Sequence, residues 1–208
     1  MSNKDKQVYK NGEELLNEND EILATCPELF YEKTGYVETQ SRDELLKYHP
    51  EVVLYCPQIP QNTGSISRLC AAFSTTLHLI EPMAFQITEK AVRRAGLDYW
   101  EFVNLFIHKS FDEFKKVRSK RRIIFVETGG TQSPYEFQFK PGDCLVFGAE
   151  TFGIHKEVMD KEIEQGNAHK LTIPMFNRGV RSINLANTVS IVLYLAIAQL
   201  HHKCNELK

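Results

Sequence analysis

Val52-Val53-Leu54-Tyr55-Cys56-Pro57-Gln58-Ile59-Pro60-Gln61-Asn62-Thr63-Gly64-Ser65-Ile66-Ser67-Arg68 reads as a strand, a stiff loop and a helix in succession. Val52 to Cys56 is an unbroken apolar run stopped by Pro57, the pattern of a strand buried on both faces. Asn62 to Phe73 then carries Ile66, Leu69, Cys70 and Phe73 on one side, the spacing of a helix with one buried face. A buried strand leading directly into a helix is the unit from which parallel sheets are built.

The same alternation continues downstream. Leu77–Ile80, Phe102–Ile107, Arg122–Val126, Asp143–Phe147 and Lys170–Ile173 read as further strands. Thr88–Ala95, Ser110–Arg118 and Asn184–His202 read as helices, with Ser110 as a cap. The arrangement predicts an α/β fold with a mostly parallel sheet covered by helices on both faces. The last helix is apolar almost all round: Leu185, Val189, Val192, Leu193, Ala196 and Leu200 on one face, Ile191, Leu195 and Ala198 on the other. This predicts full burial, in the core or against a second copy.

Upstream of Glu51 the texture differs. Residues 1–50 carry 6 Lys+Arg against 11 Asp+Glu, and the rest of the chain 19 against 16. An acidic, partly ordered extension therefore precedes a mildly basic body, residues 51–208. Within the extension, Glu13–Leu23 and Ser41–Tyr48 have helical character, and Ser41 with Glu44 has capping-box spacing. The formal net charge of −2 over 208 residues neither requires nor excludes a nucleic-acid partner.

Composition removes several function classes. Five widely spaced cysteines without a Cys-x-x-Cys pair predict reduced thiols rather than a disulfide framework or a zinc site. The seven histidines show no metal-ligand spacing. The apolar run Ile191–Ala198 falls well short of the roughly 20 residues of a membrane span. A cytoplasmic protein without metal or membrane attachment is expected.

Three segments follow strand ends, where open α/β sheets place ligands. The first is the Pro57–Arg68 stretch above. There Asn62 and Arg68 can face one cleft, or Asn62 can simply cap the helix while Arg68 is solvated. The second is Phe147-Gly148-Ala149-Glu150-Thr151-Phe152-Gly153, a carboxylate between two glycines, where a glycine permits close backbone approach to a ligand. The third is Ile173-Pro174-Met175-Phe176-Asn177-Arg178-Gly179-Val180-Arg181-Ser182-Ile183-Asn184-Leu185-Ala186-Asn187. It brings Ser182, Asn184 and Asn187 into an otherwise apolar helix, where buried polar groups need partners.

Taken together these segments resemble the three signature motifs of the SpoU class of the SPOUT methyltransferase superfamily. With Leu79-Ile80-Glu81-Pro82-Met83-Ala84-Phe85 and Arg93-Arg94-Ala95-Gly96-Leu97-Asp98-Tyr99, the chain is similar to the branch that methylates the ribose 2′-hydroxyl of tRNA nucleotide 34, cytidine or uridine. The resemblance covers Val52 to Leu200. It implies a C-terminal trefoil knot, S-adenosylmethionine as cofactor, a homodimer whose sites use both subunits, and tRNA as partner. It assigns catalytic roles to Arg68, Asn62, Glu150, Ser182 and Asn184, cofactor contacts to Val126, Gly148, Ile173 and Ser182, and RNA contacts to Arg181 and Tyr194; Phe152, outside the family pattern, is expected to stack on an RNA base or to cover the cofactor. Because an arginine resists deprotonation, Arg68 is expected to orient the ribose and stabilise the developing alkoxide rather than to take its proton.

The chain also departs from that pattern. Phe152 stands where relatives usually carry an arginine, and the third loop is one residue longer through Asn177-Arg178-Gly179. Two other readings therefore stay open: a 2′-O-methyltransferase for another tRNA or rRNA site, and a methyltransferase-like RNA-binding protein that does not catalyse.

Overall fold

A computed structural model describes residues 41–87, 99–130 and 132–206. The helices expected at Glu13–Leu23 and Thr88–Ala95 lie outside the described residues. Six strands form one sheet: β1 (Glu51–Tyr55), β2 (Leu77–Ile80), β3 (Leu105–His108), β4 (Ile123–Val126), β5 (Cys144–Phe147) and β6 (Ala168–Leu171). Their spatial order is β3-β2-β1-β5-β4-β6 and every pairing is parallel.

Alternate residues of the buried strands point to opposite faces. Val52, Leu54, Leu79, Ile124, Leu145 and Phe147 pack with helix α2 (Pro60–Ala72) and the long C-terminal helix α5 (Leu185–Glu206). Val53, Tyr55, Ile80, Phe125 and Val146 pack with α3 (Phe111–Val117) and α4 (Lys156–Glu164). The expected two-sided cover is present. The short helix α1 (Arg42–Tyr48) has the full Ser41–Glu44 capping box. It docks on the body through Tyr48, whose hydroxyl donates to the Leu200 carbonyl at 3.1 Å.

Several element boundaries differ from those expected. The third strand begins at Leu105, because Trp100–Phe102 form a turn of 3₁₀ helix ahead of it. β6 ends at Leu171, leaving Ile173 in the following loop. Helix α2 begins at Pro60 with Ile59 at the cap position. Asn62 therefore lies inside the first turn and is not the cap. Helix α4 was not expected at all. The last helix is buried on one face only: Val189, Val192, Leu193, Ala196 and Leu200 are in the core, whereas Ile191 and Tyr194 are 39% and 60% exposed.

Lys115–Arg122 contains six cations in eight residues, yet much of this charge is used internally. Lys115 pairs with Glu162 at 2.8 Å, Arg118 with Glu51 at 2.8 Å, and Arg122 with Asp143 through two bonds of 2.6 and 2.8 Å. Glu51 opens β1 and Asp143 precedes β5. The Glu51 and Asp143 pairs therefore lie at the N-terminal ends of β1 and β5.

Glu51 also accepts from His78 Nε2 at 3.0 Å, and His78 Nδ1 lies 2.9 Å from His108 Nε2. Burial alone pushes the Glu51 carboxyl up, but the bonds and charge of His78 and Arg118 outweigh it and bring it down to about 2. Burial holds His78 below the ordinary histidine value, and burial with the neighbouring His78 brings His108 down to about 4. Near neutral pH both rings are uncharged, which fits the bonding: His78 donates through Nε2 to Glu51 and accepts through Nδ1 from His108.

Candidate active site

The C-terminal ends of β4, β5 and β6, with the start of α5, enclose a cavity of about 420 Å³, within the size range of small-molecule sites. Its walls include Val126 and Phe147, the last residues of β4 and β5, and Thr172 and Ile173 just beyond β6.

The three strand-end loops meet through one chain of side-chain bonds. Glu150 Oε1 accepts from Asn62 Nδ2 at 2.9 Å and from the Ile59 amide at 3.2 Å, and Glu150 Oε2 accepts from the Gln58 amide at 2.9 Å. The Glu150 carboxylate thus serves the amides ahead of α2. Asn62 Oδ1 accepts from Asn184 Nδ2 at 3.0 Å. Asn184 Oδ1 in turn accepts from the Ala186 and Asn187 amides, closing the first turn of α5. Each side-chain polar atom in this chain is matched, with Asn62 buried, Glu150 partly buried and Asn184 exposed.

The Gly148–Gly153 loop is tight. Ala149 and Gly153 exchange two backbone bonds, at 3.1 and 2.8 Å. A Cβ on Gly148 would lie 2.4 Å from the Gly153 carbonyl carbon. The glycine is therefore required by the loop's own closure, a reason nearer than approach to a ligand. Gly153 has φ +70°, and a Cβ there would lie 2.5 Å from Glu127 Oε2.

Glu127 was missed by sequence reasoning. Its carboxylate accepts from the Ile154 and Thr128 amides at 3.1 and 3.0 Å and borders the cavity. The available signal was its place, one residue past the end of a buried strand. Gln58 was missed as well; its Oε1 accepts from the Thr151 amide and hydroxyl, tying the first loop to the second.

Of the residues singled out, Val126, Gly148, Ile173, Ser182, Asn62, Glu150, Asn184, Arg181 and Phe152 all border this cavity. Arg68 and Tyr194 do not. Arg68 is exposed, with its guanidinium 4.6 Å from the centre of the Tyr99 ring. The Tyr99 hydroxyl donates to the Gly64 carbonyl at 2.9 Å, which fixes that ring against α2. Tyr194 lies on the outer face of α5 beside Phe73, ring centres 6.4 Å apart. Asn177 makes a compact turn in the third loop, accepting from the Gly179 and Val180 amides.

At the rim, Phe152 stacks on His155, with centroids 5.1 Å apart and planes 22° from parallel. His155 Nδ1 is 2.9 Å from the Tyr55 hydroxyl. Burial raises the Tyr55 phenol above its ordinary value, so it remains a neutral hydroxyl. Among the described residues no group of His, Cys, Asp and Glu is arranged to hold a metal ion. No helix among them is long and apolar enough to cross a membrane.

The model of the SpoU rRNA methylase family matches residues 49–194. The tRNA (cytidine(34)-2′-O)-methyltransferase of Escherichia coli (strain K12) is 43% identical over 150 residues, covering 72% of this chain and 92% of that protein. A solved structure addressing the 2-OH methylation of C/U34 on tRNA superposes with a TM-score of 0.67 at 39% identity, covering 75% of this chain and 99% of that one. The AdoMet-bound rRNA methyltransferase from Sinorhizobium meliloti shares the fold, with a TM-score of 0.63 at 20% identity, covering 76% of this chain and 60% of that one.

Proposed function

The chain belongs to the SpoU methylase family, and from that premise we propose that it transfers a methyl group from S-adenosylmethionine to the ribose 2′-hydroxyl of tRNA nucleotide 34. The observation that carries this reading is the Glu150–Asn62–Asn184 chain, which joins all three motif loops around one cavity. Relatives named for that reaction align over nearly their whole length.

The cavity residues fit the cofactor. Val126, Phe147 and Ile173 offer an apolar wall for an adenine ring, Glu127 a carboxylate for hydroxyl or ammonium donors, and Ser182 a hydroxyl. When bound, S-adenosylmethionine would supply an activated methyl whose transfer to the 2′-oxygen leaves the electron pair on sulfur and gives the hydroxyl proton to solvent water. The protein's task is then alignment and charge stabilisation. Arg181 on the rim places a cation where an RNA phosphate can lie. Asn62, Glu150 and Asn184 act as positioning residues, since their polar atoms are engaged with one another and with backbone amides.

Arg68 needs a second copy in this reading. It lies on α2 outside its own cavity, on a surface it shares with Ser65 and Ala72. Beside that surface α5 exposes Ile191, Tyr194 and Ala198. A homodimer covers this apolar strip and carries Arg68 to the partner's cavity, where its charge stabilises the alkoxide. The trefoil knot belongs to the same reading. Its support is the docking of α5 against the 133–142 segment, where Gln199 donates to the Phe137 carbonyl and accepts from the Phe139 amide. A cytoplasmic location follows from the tRNA substrate. Transfer of a labelled methyl group to total tRNA tests the activity.

A further inference from the structure

Phe152 is 48% exposed on the rim of the cavity, and its ring is stacked on that of His155, which is also exposed. It sits in the Ala149–Gly153 loop, which is closed by two backbone bonds and tied down by Gln58 through Thr151. Its ring lies on His155, which is edge-on to Tyr55 at 5.6 Å and bonded to the Tyr55 hydroxyl. Tyr55 is 6% exposed and contacts Phe111 of the core edge-on at 6.3 Å. A continuous series of rings therefore runs from the core to the rim.

A preorganised ring loses little freedom on binding a flat partner. Nucleobases are such partners, and stacking on an aromatic side chain tolerates any base because each has a π face. A nucleotide's base is joined to its ribose by a single bond. A ribose whose 2′-oxygen faces the cavity must therefore leave its base at the rim, with Arg181 nearby for the phosphate.

Resting on the function proposed above, we propose that Phe152 and His155 form one stacking wall for the base of the methyl-accepting nucleotide. Phe152 supplies the contact face. His155 is a positioning residue that backs it, its ring oriented by Tyr55. The wall recognises a flat ring beside the Arg181 cation, so the contact is insensitive to which base is presented.

The test measures the affinity of the full-length protein, with S-adenosylhomocysteine present, for two anticodon stem-loop RNAs. One carries cytidine at the acceptor position and the other an abasic ribose. Wild type should bind the abasic RNA roughly tenfold more weakly, the range of one base stacked on an aromatic ring. Phe152→Ala and His155→Ala should bind both RNAs equally and weakly, whereas His155→Phe, which keeps a ring behind Phe152, should discriminate as wild type does. Calorimetry of S-adenosylhomocysteine should be unchanged in His155→Ala, which is outside the cavity lining. Retained discrimination in Phe152→Ala or His155→Ala, or equal binding of both RNAs by wild type, would overturn the wall alone. A wild type that binds S-adenosylhomocysteine but neither RNA would overturn the tRNA reading and the wall with it.

Discussion

Asn62 donates to the Glu150 carboxylate at 2.9 Å across 88 residues of sequence, and this bond joins the first motif loop to the second. Glu150→Ala leaves that amide and the Gln58 and Ile59 amides without their acceptor. The expected cost is about 1–3 kcal/mol of stability, together with weaker cofactor binding. Thermal unfolding and calorimetry measure the two effects. Glu150→Gln, which keeps the shape and loses the charge, should fall between Ala and wild type.

Gly148→Ala should be more damaging than the small size of the change suggests. Its Cβ meets backbone, not a movable side chain, at 2.4 Å. The loop must open, at about 1–3 kcal/mol for overpacking of this kind. Cofactor affinity should fall with it, and normal affinity in this variant would place the cofactor elsewhere.

The Glu51–His78–His108 cluster predicts acid sensitivity. All three groups have folded values below their unfolded ones, so their stabilisation is complete above about pH 6.5 and declines as pH falls. The histidine part is lost first, from about 6.5 down through about 4 for His108, and the Glu51 part from about 4.5 down to about 2. Urea unfolding across this range should show falling midpoints, with a shallower decline between pH 6.5 and 4 in His108→Gln.

The α2–α5 surface predicts a dimer that Ile191→Asp with Tyr194→Asp converts to monomer, read by sedimentation. Arg68→Ala should keep dimerisation and cofactor affinity yet lower single-turnover methylation on the order of 100-fold, as for loss of one preorganised charge contact. Mixing Arg68→Ala with Glu150→Ala chains should restore activity, because one of the two composite sites is then intact.

The sheet was legible because its central strands are buried on both faces, leaving apolar runs such as Val52–Tyr55 and Ile123–Val126. Helix α4 was not, because its inner face carries Glu162, buried against Lys115, among Val158 and Met159. A charge at a core-facing position breaks the apolar period that marks a helix. The strand expected from Phe102 begins only at Leu105, because Phe102 and Val103 extend the apolar run while their backbone closes a turn of 3₁₀ helix. Most cavity residues were legible because they follow strand ends in three recognisable loops. The bonds joining Asn62, Glu150 and Asn184 were not, since they span 88 and 122 residues. Nor was the seat of Arg68 over Tyr99, which depends on how α2 meets the segment before β3.

The central claim is methylation of one oxygen on one nucleotide. Its most direct test incubates the purified protein with unmodified tRNA and S-adenosylmethionine, then maps the product by nuclease digestion and mass spectrometry. The account predicts a single added methyl on the ribose 2′-oxygen of nucleotide 34, absent when S-adenosylmethionine is omitted. A methyl at another nucleotide, on a base, or on no RNA at all would contradict it.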